Sequence, residues 1–318
     1  MGQLYDNFLA VLEERYPHKP DLVSALMNVL HLERESAYRR LRKDVYFSSE
    51  EMIQIAGAWN ISLDNIAYAN QSKIRPFRFK MVEYLDPQEE DYVILEQHNR
   101  DLEIVARDPD GMAIEVVNAL PRGLYVRSEP LTRFFTMKWR YKNSPEEAIP
   151  FYEAHIPERM RKLDLEYVQC LHKIPEMHSI HDSRMIENLV GEIVYFRSIG
   201  MLTDDETTLL RDELLMLADY LENVTLTGAF PVTGNRMFFY LSHTCVEAEY
   251  LLYRSKDFNL GLVKILERQY IGSLDGEVLD KFMKMSQATR YMSVLMSGSN
   301  ALQQAEFFTR QREIIMTL

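Results

Sequence analysis

Cysteine is scarce in this chain of 318 residues; Cys170 and Cys245 are the whole supply. Two thiols cannot staple a scaffold, so stability must come from a packed core, and a reduced, cytoplasmic protein is expected. No run approaches the ~18 uninterrupted apolar residues of a membrane span. The opening stretch MGQLYDNFLAVLEERY has neither the basic region nor the apolar run of a secretion signal. There is no Walker loop, no GxGxxG behind a strand, no GxSxG elbow, no CxxC and no HExxH. Their absence removes the best-marked routes to nucleotide, dinucleotide, serine-hydrolase and zinc chemistry. Nor is there an internal repeat of roughly 20–50 residues, which weighs against a helical-repeat sensor. Positive charge is in short supply too, with a formal net charge of −12.

What is present starts with the distribution of that charge. Residues 1–80 hold 11 Lys/Arg against 10 Asp/Glu, a net of +1, which leaves −13 on residues 81–318. The basic groups of the first part gather at residues 34–43 and in SKIRPFRFK, with Lys73, Arg75, Arg78 and Lys80. A phosphate field is felt locally, over a Debye length of roughly 10 Å, so a basic head on an acidic body is compatible with DNA binding. The length allows about two domains.

Residues 3–16 read as a first helix with Leu4, Phe8, Leu9 and Leu12 as its apolar stripe. Asp21 is placed to cap a second, with Leu22, Leu26, Val29 and Leu30 inward, and His31–Leu32 form the turn. A third helix over 33–45 sets Ala37, Tyr38, Leu41 and Val45 on one face. Glu35, Ser36, Arg39, Arg40, Arg42 and Lys43 spread over the other. Ser48-x-x-Glu51 is a capping-box signature for a fourth helix, and Ser62 caps a short fifth. The wording ESAYRRLRKDVYFSSEEMIQIAGAWNISLDNI, residues 35–66, resembles the Cro/C1-type (Xre, lambda-repressor-like) helix-turn-helix transcriptional regulators. The resemblance covers about the first 68 residues. His31 stands where that family usually has glycine, and its common glutamine at the start of the second helix is missing. The resemblance implies a DNA-binding domain over 1–70 that acts as a homodimer on double-stranded DNA, with the third helix in the major groove. Glu35, Ser36 and Arg39 are then the candidate base readers; Arg40, Arg42 and Lys43 are mixed or phosphate contacts.

Residues 71–91 read as a linker, and 92–318 as a larger dimerisation and signal-receiving part, mainly helical to 222 and α+β over 225–318. In the helix from about 87 to 107, Tyr92, Leu95, His98, Leu102 and Val105 form a near-heptad seam, a candidate dimer contact. Residues 112–141 alternate poorly and are expected to be helical, as are 147–165, 182–199 and 204–222. FPVTGNRMFFYLS reads as a hairpin, 245–255 as another strand, 260–270 stays ambiguous, and helices follow at 277–296 and 301–316, separated by Ser297-Gly298-Ser299-Asn300. The expected fold is therefore mainly α: a five-helix domain, then a mostly helical α+β region with a small antiparallel sheet.

Cys170, His172, His178 and His181 crowd into 12 residues, a spacing that could imitate a metal site, and His181-Asp182 is similar to the doublet of HD-type phosphohydrolases. Without further ligand motifs, neither metal nor cofactor is assigned and no enzyme activity is expected. Size alone, some 240 residues beyond the first domain, points to an effector, a small molecule or a protein. A protein-interaction module of the antitoxin or scaffold type is the alternative, and a hydrolase built on His172, His178 and His181 comes third.

Overall fold

The computed structural model describes residues 2–59, 61–68, 77–84, 86–266, 268–298 and 301–318. The expected helix stop at Asn60, the linker cations Lys73 and Arg75, and Ser299-Asn300 fall outside them. The chain forms two compact units, Met1–Pro76 and Phe77–Leu318.

The first unit carries α1 (Gly2–Arg15), α2 (Lys19–Leu30), α3 (Arg34–Leu41), α4 (Ser49–Trp59) and α5 (Leu63–Tyr68). Its core gathers one stripe from each: Phe8 and Leu12, Leu22 and Leu26, Ala37 and Leu41, Ile55 and Trp59, and Ile66. Pro20 sits in the first turn of α2, where its missing N–H costs nothing, so α2 starts at Lys19 and Asp21 lies inside the first turn instead of capping it. Ser48 and Glu51 exchange the reciprocal bonds of a capping box, Ser48 N–H to Glu51 at 2.8 Å and Glu51 N–H to Ser48 Oγ at 3.2 Å.

The second unit holds β1 (Arg78–Lys80), α6 (Glu89–Arg107), β2 (Met112–Val117), α7 (Arg122–Tyr125), α8 (Glu129–Asn143), α9 (Glu158–Lys173), β3 (Glu176–Asp182) and α10 (Met185–Ser198). It continues with α11 (Asp204–Thr227), β4 (Arg236–Ser242), β5 (Tyr250–Arg254), β6 (Asn259–Leu266), β7 (Gln269–Ser273), α12 (Gly276–Tyr291), β8 (Ser293–Leu295) and α13 (Ala301–Ile315). Among the described residues its strands form one sheet of eight, ordered β1-β7-β6-β5-β2-β3-β4-β8. Strand β3 lies parallel to both β2 and β4, and the flanking pairs are antiparallel.

This corrects the small antiparallel sheet. Both faces of the central strands are covered, so MAIEVV and EMHSIHD carry no inside/outside alternation and resemble helix segments in sequence. On one face Ala113, Met177, Phe239 and Tyr253 meet α8, α9, α10, α11 and α13; on the other Ile114, Val116, Ile180 and Leu252 meet Val278 and Phe282 of α12. The expected hairpin over 230–242 is likewise β4 alone, paired with β3 and β8, with one isolated bridge from Ala229 to Arg236. Part of the supposed linker is structural: β1 is an edge strand on β7, and Gln269 clamps the backbone of Val82 in both directions. The seam of α6 is used within its own unit. Leu102 and Val105 are fully buried and His98 stacks on Tyr167, so that face is closed to a second chain. No helix of the described residues is long and apolar enough to cross a membrane.

Candidate functional site

The α2–turn–α3 segment is built by local chemistry. Helix α2 closes on His31, which takes the left-handed conformation at φ 52°, ψ 41° that glycine takes most easily and histidine tolerates better than bulkier residues. Leu32 and Glu33 complete a three-residue connection, and α3 begins at Arg34. Ala37 and Leu41 turn inward to Leu22 and Leu26, which leaves Glu35 and Arg39 exposed, with Ser36 half-buried. Among the described residues, the Arg39 side chain has no hydrogen bond or ion pair, and its guanidinium stands in solvent.

The other basic residues divide. Arg40 is bound inward: Nη2 and Nε donate to the two Glu51 carboxylate oxygens at 2.6 and 3.1 Å, and Nη1 donates to the Ser36 carbonyl at 3.1 Å. The fork joins α3 to α4 and holds the Glu51 carboxyl below its usual range, against the desolvation that would raise it. Arg40 is therefore a structural residue and not an open phosphate contact. Helix α3 also ends sooner than expected, at Leu41, because Lys43 adopts φ 65° and turns the chain. Arg42 and Lys43 thus lie in the turn beyond the helix. Arg42 donates to Glu35 and Asp44, and Lys43 to Asp6, pairs that stand exposed to solvent and can exchange for phosphate at little cost. Val45, expected on the buried face of the helix, is a half-buried turn residue.

In the second unit, the histidines part company. His178 and His181 lie on β3, and an odd spacing on a strand sends side chains to opposite faces. His178 stacks on Phe238 with Nε2 2.8 Å from Glu176, whereas His181 stacks on Phe239 and is fully buried. His172 stacks on Phe230 from the end of α9. The described residues hold no group of three His, Cys, Asp or Glu side chains placed to share a metal ion.

Sequence reading passed over a buried polar row beneath α8, α9 and α10. Glu115 and Ser179 are register partners on β2 and β3, and His181 follows on the same face. Ser179 Oγ donates to Glu115 and lies 2.6 Å from His181 Nε2, whose Nδ1 faces Met185 Sδ at 3.2 Å. Burial pushes the Glu115 carboxyl up to about 7, opposed by the Ser179 bond and assisted by Glu249. Burial alone brings His181 down to about 3 and keeps it neutral. The only sequence mark of this row is a glutamate inside an otherwise apolar run, MAIEVV.

Beside it lies a closed chamber of about 20 Å³ walled by Arg122, Tyr125, Tyr167, Glu249, Lys264 and Tyr270. Glu249 holds the loop after β2, accepting from the Asn118 and Ala119 amides at 3.2 and 2.9 Å, and it pairs with Lys264. Ala119, Leu120 and Phe135 form the wall shared with an open cleft of about 390 Å³. That cleft lies beyond the carboxyl ends of β2, β3 and β4 and carries Asn118, Asp182, Arg184, Asn188 and Cys245. In sheets with parallel strands this end is where ligands bind, because successive strand-to-helix loops diverge there. No family model, curated protein or solved structure matches the chain.

Proposed function

We propose that the chain is a sequence-specific DNA-binding transcriptional regulator. In this reading α3 enters the major groove, and the second unit supplies dimerisation and signal input. The carrying observation is the turn–helix geometry at residues 31–41: a short helix held by Ala37, Leu41 and the Arg40–Glu51 fork, presenting an unengaged Arg39 beside Glu35. An arginine on the outer face of such a helix suits the O6/N7 edge of guanine, which its planar fork meets with two bonds. Arg42 and Lys43, at the helix exit, fit the adjoining phosphates. Paired half-sites require a two-fold, so the acting species is a homodimer.

The test is binding of the full-length protein to the DNA upstream of its own coding region at two salt concentrations. Affinity should fall with a log–log slope of about −0.9 per phosphate contact. Arg39→Ala should weaken specific binding at least about tenfold, a loss within the 1–3 kcal/mol of one good base contact, with thermal stability unchanged. Salt-independent behaviour, or full binding by the Arg39 variant, sinks the reading and favours a protein-docking module.

A further inference from the structure

The open cleft beyond the carboxyl ends of β2, β3 and β4, about 390 Å³, lies in the size range of small-molecule sites. Its floor is apolar: Leu120, Phe135, Met185 and Leu189 reach it from the packed core, and all four are buried. Its rim carries two acids and two bases, which are not equally engaged. Glu192 is held from two sides, by Lys138 Nζ at 2.6 Å and by Lys142 Nζ at 4.0 Å. Asp182 is buried and accepts from the Arg184 amide at 2.9 Å. Burial works to raise its carboxyl, but that amide, the Arg184 side chain and the Val246 amide together hold it below its usual range. Both carboxylates are thus occupied, and a cationic ligand finds no acceptor to itself.

Arg184 is different. Its side chain is 57% exposed, and its Nε and Nη2 meet Asp182 only at 3.4 and 3.5 Å, longer than a well-made hydrogen bond. An exposed ion pair is worth little, so a guanidinium held this loosely can turn to another carboxylate at small cost. Asn188, one helical turn further along, sets an exposed amide on the same wall. A guanidinium fork meets the two oxygens of a carboxylate together, and an amide N–H adds a lateral donor. Above an apolar floor, these donors match a molecule that is carboxylate at one end and hydrocarbon at the other.

We propose that this cleft binds a small monocarboxylic acid with an apolar body, its carboxylate on Arg184 and Asn188 and its hydrocarbon part over Leu120, Phe135, Met185 and Leu189. The acid is then the chemical class of the signal that the second unit receives. As an effector site the cleft rests on the regulatory reading above; as a binding site it stands on its own geometry. A binding measurement without DNA lets the two fail separately.

Cys245 is the reporter. It lines the cleft and is exposed, whereas the chain's other thiol, Cys170, is buried in α9. An uncharged reagent, N-ethylmaleimide, therefore labels Cys245 first in the full-length protein. Its labelling rate is followed by mass spectrometry against rising benzoate and 3-methylbutanoate at constant ionic strength, with benzamide as the uncharged counterpart of benzoate. At least one acid should protect with a half-point near about 1 mM, within reach of a ligand of about seven to nine heavy atoms. Ten times that concentration should slow labelling about tenfold and raise Tm by about 3–6 °C. Benzamide should protect at least about tenfold more weakly, lacking the charge that the guanidinium meets. Arg184→Gln should leave the ligand-free Tm within about 2 °C and raise the half-protection concentration at least about fivefold. The half-point is compared, not the rate, because Arg184 also touches Cys245. No protection by either acid up to about 10 mM, well past saturation of a millimolar site, overturns the proposal. So does benzamide protecting as well as benzoate, or a half-point that Arg184→Gln does not move.

Discussion

Glu115→Gln is the perturbation whose outcome can be worked through most completely. The Glu115 carboxyl is buried in the sheet and raised to about 7, first by desolvation, then by the charge of Glu249. An acid whose folded pKa lies above its unfolded value of 4.5 holds its proton more tightly when folded. Its contribution to stability is therefore complete below the unfolded pKa and is lost as pH climbs through the folded one. Between about pH 5 and pH 8 the linkage relation gives a loss of about 2.5 kcal/mol. Glutamine cannot ionise, and its amide oxygen can accept from Ser179 Oγ as the Glu115 carboxyl does, so the variant escapes this loss. His181 runs the other way, losing stability as pH falls below the ordinary histidine range because it is buried neutral, but it is present in both proteins. The assay is thermal unfolding of both across that pH range. The Tm advantage of the variant should grow by about 5–10 °C from the acid to the alkaline end. A difference that stays flat with pH, or grows toward acid, would refute the claim that Glu115 is a desolvated acid.

Three further outcomes follow from particular contacts. Arg40→Ala should destabilise the first unit by about 1–3 kcal/mol, since it strips Glu51 of a two-pronged, half-buried partner; chemical denaturation checks this, and Arg39→Ala serves as the neutral comparison. His31→Val should cost about 1–2 kcal/mol, because a β-branched residue resists the left-handed conformation at that turn, whereas His31→Gly should not destabilise; urea midpoints separate the two. Gly261→Ala places a Cβ 2.9 Å from the Phe282 ring, where β6 and α12 approach closely, and should cost about 1–3 kcal/mol. A Gly261→Ala protein with the parent's Tm would show that α12 can shift away from the sheet.

The first unit was largely legible in the sequence because its signals are local. Caps, a proline in the first turn and apolar spacing at 3.6 residues act within a few positions, and α1, α2, α4 and α5 lie within about three residues of where those signals put them. Ser48 and Glu51 read as a capping box and form one. Helices α6 and α11 begin close to the starts expected at about 87 and 204, where apolar spacing marks an inward stripe, and each opens on an acidic first turn. The end of α3 was not legible, since nothing in RRLRKDV announces that Lys43 will take a positive φ.

What the sequence determined by itself, then, was where amphipathic helices begin and which stripe of each faces inward. Strand partnership was decided by tertiary structure. Strands β2, β3 and β4 are drawn from segments more than fifty residues apart, and burial on both faces erased the alternation that marks a strand. The same long-range pairing separated the histidines that sequence had crowded together and put Glu115 beside Ser179. It also decided which of two adjacent arginines is spent on structure. Arg39 and Arg40 are chemically identical neighbours, but the rotation of about 100° between successive helix positions sends Arg40 to Glu51 on α4 and leaves Arg39 facing water. Local sequence fixes a helix's phase; only the packed neighbour supplies the partner that gives each side chain its work.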